Sequence, residues 1–467
     1  MQPLRSTIIK QADFNGKSVV YVMSRDQRVS DNHALIAAQE LAHKHGVPLY
    51  VLFVLRAVPH RSREHYTFML DGLAEISTTL AAYDIQLVIR AGTPRTLIPE
   101  FASEIECGAL FFDFNPLASA RHLVRDVSET FHGSVTVVDT HNIIPAWSIS
   151  DKKEFAAHTM RTKIHRQLQN YLLSPPPLQA HTTAAPQVAS LSIQEARHYI
   201  QTIPESGITI EYKAGEAAAH QRLKEFITDD LINYAVARND IANDQQSGLS
   251  PYLHFGHISS LRVALEVIDS VNQPPLLLAQ AKLAEHGDTP SSVDGMNALL
   301  EEMIVRKELA DNFCLYSPSH STLDAAPAWA LASLTEHHND VRDFTYTQEQ
   351  WETATTHDTA WNAAQLELRT TGKIHGYMRM YWAKKLLEWS ATAEEALRIG
   401  IYLNDKYSID GGDPNGYVGL LWSIAGLHDR PWFDRAVYGK IRYMNESGLR
   451  RKFDVDAYIQ RVGTIKQ

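Results

Sequence analysis

Apolar positions in the first third of the chain fall in short unbroken runs: SVVYVMS (18–24), PLYVLFVL (48–55), IQLVIR (85–90), ALFFDF (109–114) and VTVVD (135–139). Runs of β-branched and aromatic residues without polar alternation are the pattern of strands buried on both faces. Between them lie stretches with helical spacing, such as 31–45, where Asp31 is the predicted N-cap and Gly46 the predicted stop. Strands alternating with helices predict an α/β domain with a doubly wound parallel sheet over residues 16–147. Beyond about 215 the period changes: 221–231 and 375–388 carry helical spacing, and Thr392 with Glu395 makes a capping-box signature. Residues 216–467 are therefore predicted to be all-helical, and 148–215 an interdomain linker. Within that linker, Ser174-Pro175-Pro176-Pro177 and the Ala/Thr/Gln-rich run to about 190 read as a connector that need not pack tightly. The stretch 270–292, with Pro274, Pro275 and Gly287, is expected to be a surface insertion.

Composition narrows the class. The 467 residues, 44% hydrophobic and 21% charged, hold enough apolar material for a sizeable core, which excludes intrinsic disorder. A net charge of −10 excludes a blanket nucleic-acid coat and leaves room for a local basic groove. Cys107 and Cys314 are too few for a disulfide framework or a four-cysteine zinc site, which suits a reducing compartment. No apolar run approaches membrane-spanning length, so no membrane partner is expected.

Motifs that would assign a familiar chemistry fail. Gly16-Lys17-Ser18 has Gln11 where a phosphate loop needs glycine, and it precedes its strand; Gly372-Lys373 has Glu367 at the equivalent place. No G-x-G-x-x-G follows the first strand, and neither H-E-x-x-H nor G-x-S-x-G occurs. The chemistry is therefore sought in the helical half. Trp382 and Trp389, two helical turns apart, share one helix face, and Trp361 sits on the preceding helix ending near Gly372. Taken alone they read as packing anchors; beside a cofactor they would make a chain of oxidisable rings, and spacing leaves both readings open. Asp410-Gly411-Gly412-Asp413-Pro414-Asn415-Gly416 is loop-forming and permits close backbone approach to a ligand. Trp422 and Trp432 bracket His428, Asp429 and Arg430, a mixture of stacking surface and charge that suits unstacked bases. Lys440, Arg442, Arg450, Arg451 and Lys452 form a basic run, either a solvated face or a strip for phosphates.

Six long, low-probability segments, YVMSRDQRVSDNHAL (21–35), LSPYLHFG (249–256), RKELADNFC (306–314), HGYMRMYWAKKLLEW (375–389), LNDKYSIDGGDPNGY (403–417) and HDRPW (428–432), occur in order across both halves. Together they closely resemble the class II cyclobutane pyrimidine dimer DNA photolyases, of the photolyase/cryptochrome superfamily, over nearly the whole chain. The resemblance implies an N-terminal α/β domain and a helical domain holding FAD bent into a U. Its FAD site would be Tyr234, Leu249, Ser250, Glu308, Asn312, Arg379, Asn404, Asp410 and Gly411. Asn404 would face flavin N5, and Arg379 with Asp410 would form an ion pair against the ring. The resemblance also admits a deazaflavin-type antenna in the N-terminal domain.

On the substrate side, the resemblance implies Glu302, Met380, Trp422 and the Asp429-Arg430-Pro431-Trp432 loop. A damaged dinucleotide stacks poorly, so flipping it out of UV-damaged DNA costs less than flipping a sound pair. Trp422 would stack on it, Glu302 would hydrogen-bond the base edge, and Arg430 and Trp432 would prop the gap. Lys440, Arg442, Arg450 and Arg451 would hold flanking phosphates, an inference from charge alone. The implied reaction is light-driven electron transfer from reduced FAD, with Glu302, Asn404, Arg379 and Asp410 at its centre. Trp361, Trp382 and Trp389 would pass electrons in from solvent. A monomer without an obligate protein partner is expected, working in bacterial-type cytoplasm on the nucleoid, or in a eukaryotic nucleus. Two other readings compete: a cryptochrome-like blue-light receptor without repair activity, which would drop Glu302, Met380 or Trp422, and a nucleotide-binding enzyme using the sheet domain alone. His257, where relatives commonly carry glutamine, adjoins the expected FAD region.

Overall fold

A computed structural model describes residues 5–243, 245–272 and 290–465; Pro274, Pro275 and Gly287 of the expected insertion lie outside them. The five expected strands form as β2 (Ser18–Met23), β3 (Leu49–Leu55), β4 (Gln86–Ala91), β5 (Cys107–Asp113) and β6 (Ser134–Val138). A sixth, β1 (Ser6–Lys10), precedes them and pairs antiparallel with β6, giving the order β1-β6-β5-β2-β3-β4. The remaining pairings are parallel. β1 is an edge strand with Ile8 58% exposed, so it lacks the two-sided apolar run that marks its neighbours.

Local details correct the sequence reading at three points. The helix His33–His45 is capped by Asn32, whose Oδ1 accepts from Leu35 N at 2.9 Å. Asp31 instead turns to φ 53° and pairs with Arg262, both contacts at 2.8 Å. Gly46 ends that helix at φ 63°, in the left-handed region that glycine tolerates. The expected 221–231 helix is broken by a π-helical turn, Phe226–Asp230, between helices Glu216–Glu225 and Leu231–Ala237. The proline-rich connector packs along the open edge of β4: Leu191 N donates to Ile89 O at 2.9 Å, and Gln86 exchanges two bonds with Val188. It thereby covers an edge that would otherwise present unpaired backbone groups.

Helices dominate the rest of the described chain, and one continuous core runs from the sheet into the helical half, joining Val19, Phe53 and Leu73 to Phe226, Leu261 and Leu300. Three of the resembling segments meet across this junction. Arg25 holds Asp311 through two bonds of 2.8 and 3.0 Å, and Gln27 N donates to Phe255 O at 3.2 Å. Gly256, at φ 74°, lies so close that a Cβ would fall 2.4 Å from Arg25 O. His257 is fully buried against Phe68 and Phe255, and burial, with His254 adding, depresses its ring to about 3, so it packs as neutral imidazole.

In open α/β sheets the carboxyl ends of strands at the topological switch commonly hold ligand. Here that place, between β2 and β5, is filled from within. Asp113 accepts from Tyr21 Oη (2.6 Å) and from the backbone N–H groups of Ser24, Arg25 and Asp26 (2.8, 2.9 and 3.1 Å). Burial, reinforced by Asp26, raises the Asp113 carboxyl to about 6.

Candidate active site

Three helices meet around the expected chemistry: Gly376–Trp389, Ala393–Tyr407 and Pro414–Ala425. His375 starts the first, its Nδ1 accepting from Tyr377 N. Thr392 caps the second through Glu395 N at 3.1 Å, although Glu395 returns its carboxylate to Ala391 N and so completes only half of a capping box.

Arg379, on the first helix, donates from Nη1 to Asn404 Oδ1 at 2.9 Å, and Asn404 Nδ2 donates to Asp405 at 3.1 Å. Asp410 follows on the next loop. Its close cation is Lys373, at 2.8 Å, with Ser408 Oγ donating at 2.5 Å; Arg379 stands 3.9 Å away. The expected Arg379–Asp410 pair is thus a long contact, because Arg379 commits its guanidinium to Asn404 while the compact Lys373 ammonium reaches the carboxylate. Burial works to raise the Asp410 carboxyl, but Lys373 and then Arg379 outweigh it and hold it well below the ordinary range. Lys373 also donates to Ser250, beside buried Leu249. At Gly411 a Cβ would meet Asn404 O at 2.7 Å, and Gly411 O accepts from Arg61 at 2.9 Å.

Tyr234, expected at the flavin, bonds Glu302, expected at the substrate: its hydroxyl donates to Glu302 at 2.6 Å, and Arg238 pairs with the other carboxylate oxygen. Helical spacing explains the trio, since Tyr234 and Arg238 are one turn apart. Glu302 lies in a second π-helical segment, Glu301–Arg306, the kind of helix irregularity that often marks functional sites. The helices Leu231–Ala237 and Ser292–Leu300 touch at Gly295, where a Cβ would lie 1.8 Å from Leu231 O.

Glu308 and Asn312, the other expected flavin contacts on this side, stand at the junction with the sheet domain. Glu308 accepts from Ile143 N at 2.7 Å and Ile144 N at 3.4 Å; Asn312 accepts from Glu154 N at 2.8 Å and donates to Lys152 O at 3.0 Å. Glu308 Oε1 and the Asn312 amide tie the helix Lys307–Tyr316 to the sheet domain and linker, while Glu308 Oε2 is buried without a hydrogen-bond partner. Burial raises the Glu308 carboxyl to about 8 against the pull of Lys307.

Trp422 is half-buried and meets the Gly376–Trp389 helix at Lys384. Lys384 Nζ stands 5.2 Å from its ring centre and Arg442 Cζ 6.0 Å. Arg442 also covers Trp432 at 4.9 Å, joined by Arg430 at 5.5 Å, while Asp429 accepts from the Trp432 indole N–H at 3.3 Å. Backbone bonding from Trp432 N to Lys440 O (2.9 Å) brings Lys440 to the same edge. The basic strip is uneven. Lys440 and Arg442 are exposed, Arg451 donates to Ser447 O, and Arg450 is held by Glu446 and Asp456 at 2.8 and 2.7 Å. A phosphate at Arg450 would compete with these two exposed ion pairs.

The aromatic chain gains a member. Trp361 stacks on Trp382 with ring centres 6.2 Å apart and planes 6° from parallel, and its indole N–H donates to Trp382 O at 3.0 Å. Trp389 reaches Trp361 through Trp351, whose centre is 4.7 Å from Trp361 and 6.1 Å from Trp389. Tyr346 lies beyond, 5.2 Å from Trp351 and 6.1 Å from Trp389. Sequence reasoning missed Trp351, Lys373, Arg238 and Lys384. Arg238 had a signal, its helical spacing from Tyr234; Lys373 was weighed only as a failed phosphate loop; Trp351 lies outside every resembling segment.

The cleft suits a flavin dinucleotide on its own chemistry. Lys373, Arg379 and Asn404 offer donors and Asp410 an acceptor, on charged side chains 17–29% exposed, beside a glycine backbone with no room for a side chain. Carbonyl-rich ring edges and phosphates are the groups such donors bind.

Comparison with known proteins agrees with the architecture. The DNA photolyase family profile matches residues 19–185. The deoxyribodipyrimidine photo-lyase of Oryza sativa subsp. japonica is 44% identical over 466 residues, covering 96% of this chain and 88% of the relative; that of Potorous tridactylus is 40% identical, covering 96% and 81%. A bacterial class III photolyase structure from Agrobacterium tumefaciens superposes with a TM-score of 0.70 at 20% identity, over 97% of this chain and 88% of that one, a likeness of fold. With full-length relatives at this identity and the same two-part architecture, the chain belongs to the DNA photolyase family, within the photolyase/cryptochrome superfamily.

Proposed function

We propose that this protein repairs cyclobutane pyrimidine dimers in UV-damaged DNA by light-driven electron transfer, in the manner of the class II enzymes it resembles. Lys373, Arg379, Asn404 and Asp410 would hold FAD, which would supply light-driven, reversible electron transfer to the dimer. The carrying observation is the helix Gly376–Trp389, which serves three surroundings at once. Arg379 reaches Asn404 toward the expected flavin cleft. Lys384, one turn from Met380, faces Trp422, which is expected to stack on the dimer, and Trp382 stacks into the tryptophan chain.

Each part of this reading has residues to perform it. Arg379 holds the Asn404 amide oxygen, so the amide's orientation is set. Lys373 and Arg379 keep Asp410 ionised, leaving a fixed charge pattern beside the cofactor. Tyr234 and Arg238 hold both carboxylate oxygens of Glu302, aiming it for a base edge. Trp422 offers a stacking face, and no hydrolytic acid or base is required. Glu302, Met380 and Trp422 together favour repair over a receptor role. The route Trp382–Trp361–Trp351–Trp389 would refill the oxidised cofactor.

The test uses purified chain with its bound chromophore identified by absorption, reduced and illuminated with an oligonucleotide carrying one thymine dimer. Restoration of thymines under blue light, above a dark control, is expected. Colourless protein, or coloured protein without restoration, overturns the reading.

A further inference from the structure

Lys384 is fully buried, yet its ammonium has no hydrogen-bond partner. The neighbouring buried lysines are satisfied: Lys307 donates to His141 O and Asn142 Oδ1, and Lys385 pairs with Glu388. An uncompensated buried cation costs several kcal/mol in an apolar setting and normally sheds its proton or finds a partner. What Lys384 does face is the Trp422 ring, 5.2 Å away, from one helical turn beyond Met380. The geometry points to Lys384 as a positioning residue for the photolyase reaction, one that pins the Trp422 ring for stacking and places a positive charge behind the bound dimer. This inference rests on the repair function proposed above.

The physical argument has two parts. A cation over an indole face is attracted by the ring's quadrupole, and most strongly when both are out of water. That contact restricts Trp422 before substrate arrives and so reduces the ordering cost of stacking. The second part concerns charge. During repair the dimer takes up an electron and later gives it back, so a fixed cation within the adjacent low-dielectric wall favours the charged intermediate stage. Lys384 takes no part in bond making, and its proton stays on Nζ throughout.

The charged groups around Lys384 set its response to pH. Burial depresses the ammonium to about 7; Asp429 opposes that shift, and Arg442 reinforces it. On its own helix Lys385 turns to the Tyr381 and Trp389 rings, and Glu388 is shared by Lys385 and Tyr438. Tyr438 also donates to the Lys384 carbonyl at 2.9 Å, which holds the helix in place without touching the ammonium. Lys384 is charged below its transition and neutral above it, so its contribution is present at low pH and lost as pH rises. A polyanionic ligand beside it moves that transition upward.

The test compares unmutated holoprotein with Lys384→Met, which keeps the side-chain length and removes the charge. Repair per light dose and the affinity ratio for dimer-containing over intact oligonucleotide are read between pH 6 and 9. The unmutated protein is expected to lose discrimination as pH rises. Lys384→Met is expected to show a flat profile at a level roughly three- to thirtyfold lower, the range of a desolvated cation–π contact. Asp429→Asn, which removes the opposing carboxylate, should move the unmutated protein's midpoint to lower pH. A flavin-loaded Lys384→Met protein that keeps the unmutated level and profile overturns this inference and leaves the repair function standing. Absence of repair by the unmutated chain at every pH overturns both.

Discussion

The molecule holds two groups of tryptophans, and their surroundings differ in kind. Trp351, Trp361, Trp382 and Trp389 are at most 5% exposed and pack ring against ring. Two of their indole N–H groups are committed, Trp361 to a backbone carbonyl and Trp382 to Gln365 at 2.9 Å. Trp422 and Trp432 are half-buried or exposed, and their neighbours are cations: Lys384, Arg442 and Arg430. One residue type is thus set to two uses. A sealed ring with fixed neighbours can pass charge with little rearrangement; an open ring flanked by cations is ready for an anionic, stackable ligand.

The largest expected break in this comparison is in stability. Trp361→Ala should cost about 3–5 kcal/mol in urea unfolding, as for other large aromatic truncations in cores, whereas Trp422→Ala should cost much less. Equal losses would erase the distinction. Binding should reverse the order: Trp422→Ala is expected to weaken dimer-containing DNA by about 1–3 kcal/mol, the worth of one stacked base, while intact DNA changes little. Unchanged discrimination in a titration would remove the stacking role.

Trp351→Leu sharpens the sealed group. It keeps an apolar filler but deletes the ring between Trp361 and Trp389, so photoreduction of oxidised cofactor should slow several-fold while pre-reduced protein repairs normally. Photoreduction at the original rate would mean Trp389 is reached another way. The smallest effect concerns salt. Arg442→Gln should reduce the slope of log affinity against log salt by about one unit, as expected for one lost phosphate contact, and Arg450→Gln should leave it unchanged. A drop for Arg450 would show that its bonds to Glu446 and Asp456 yield to DNA.

Much of this was legible along the chain. Two-sided apolar runs located β2 to β6, and helical spacing put Trp382 and Trp389 on one helix with Trp361 on its neighbour. β1 was illegible because an exposed edge strand carries no such run. The segment RKELADNFC was recognised, but its use was not. Glu308, Asp311 and Asn312 bond residues 158 or more positions away in sequence, on the sheet domain and linker, contacts that no local pattern announces. The Tyr234–Glu302 bond was illegible for the same reason, since the two lie on different helices.

The order of residues alone located the buried strands β2 to β6 and the helices carrying Trp361, Trp382 and Trp389, because burial periodicity is a local property. Tertiary structure decided which charge meets which. Lys373 rather than Arg379 is the near partner of Asp410, Trp351 fills the space between Trp361 and Trp389, and Lys384 lies beneath Trp422. Such pairings depend on distances of a few ångströms between elements far apart in the chain, and Coulomb and stacking energies change steeply over that range.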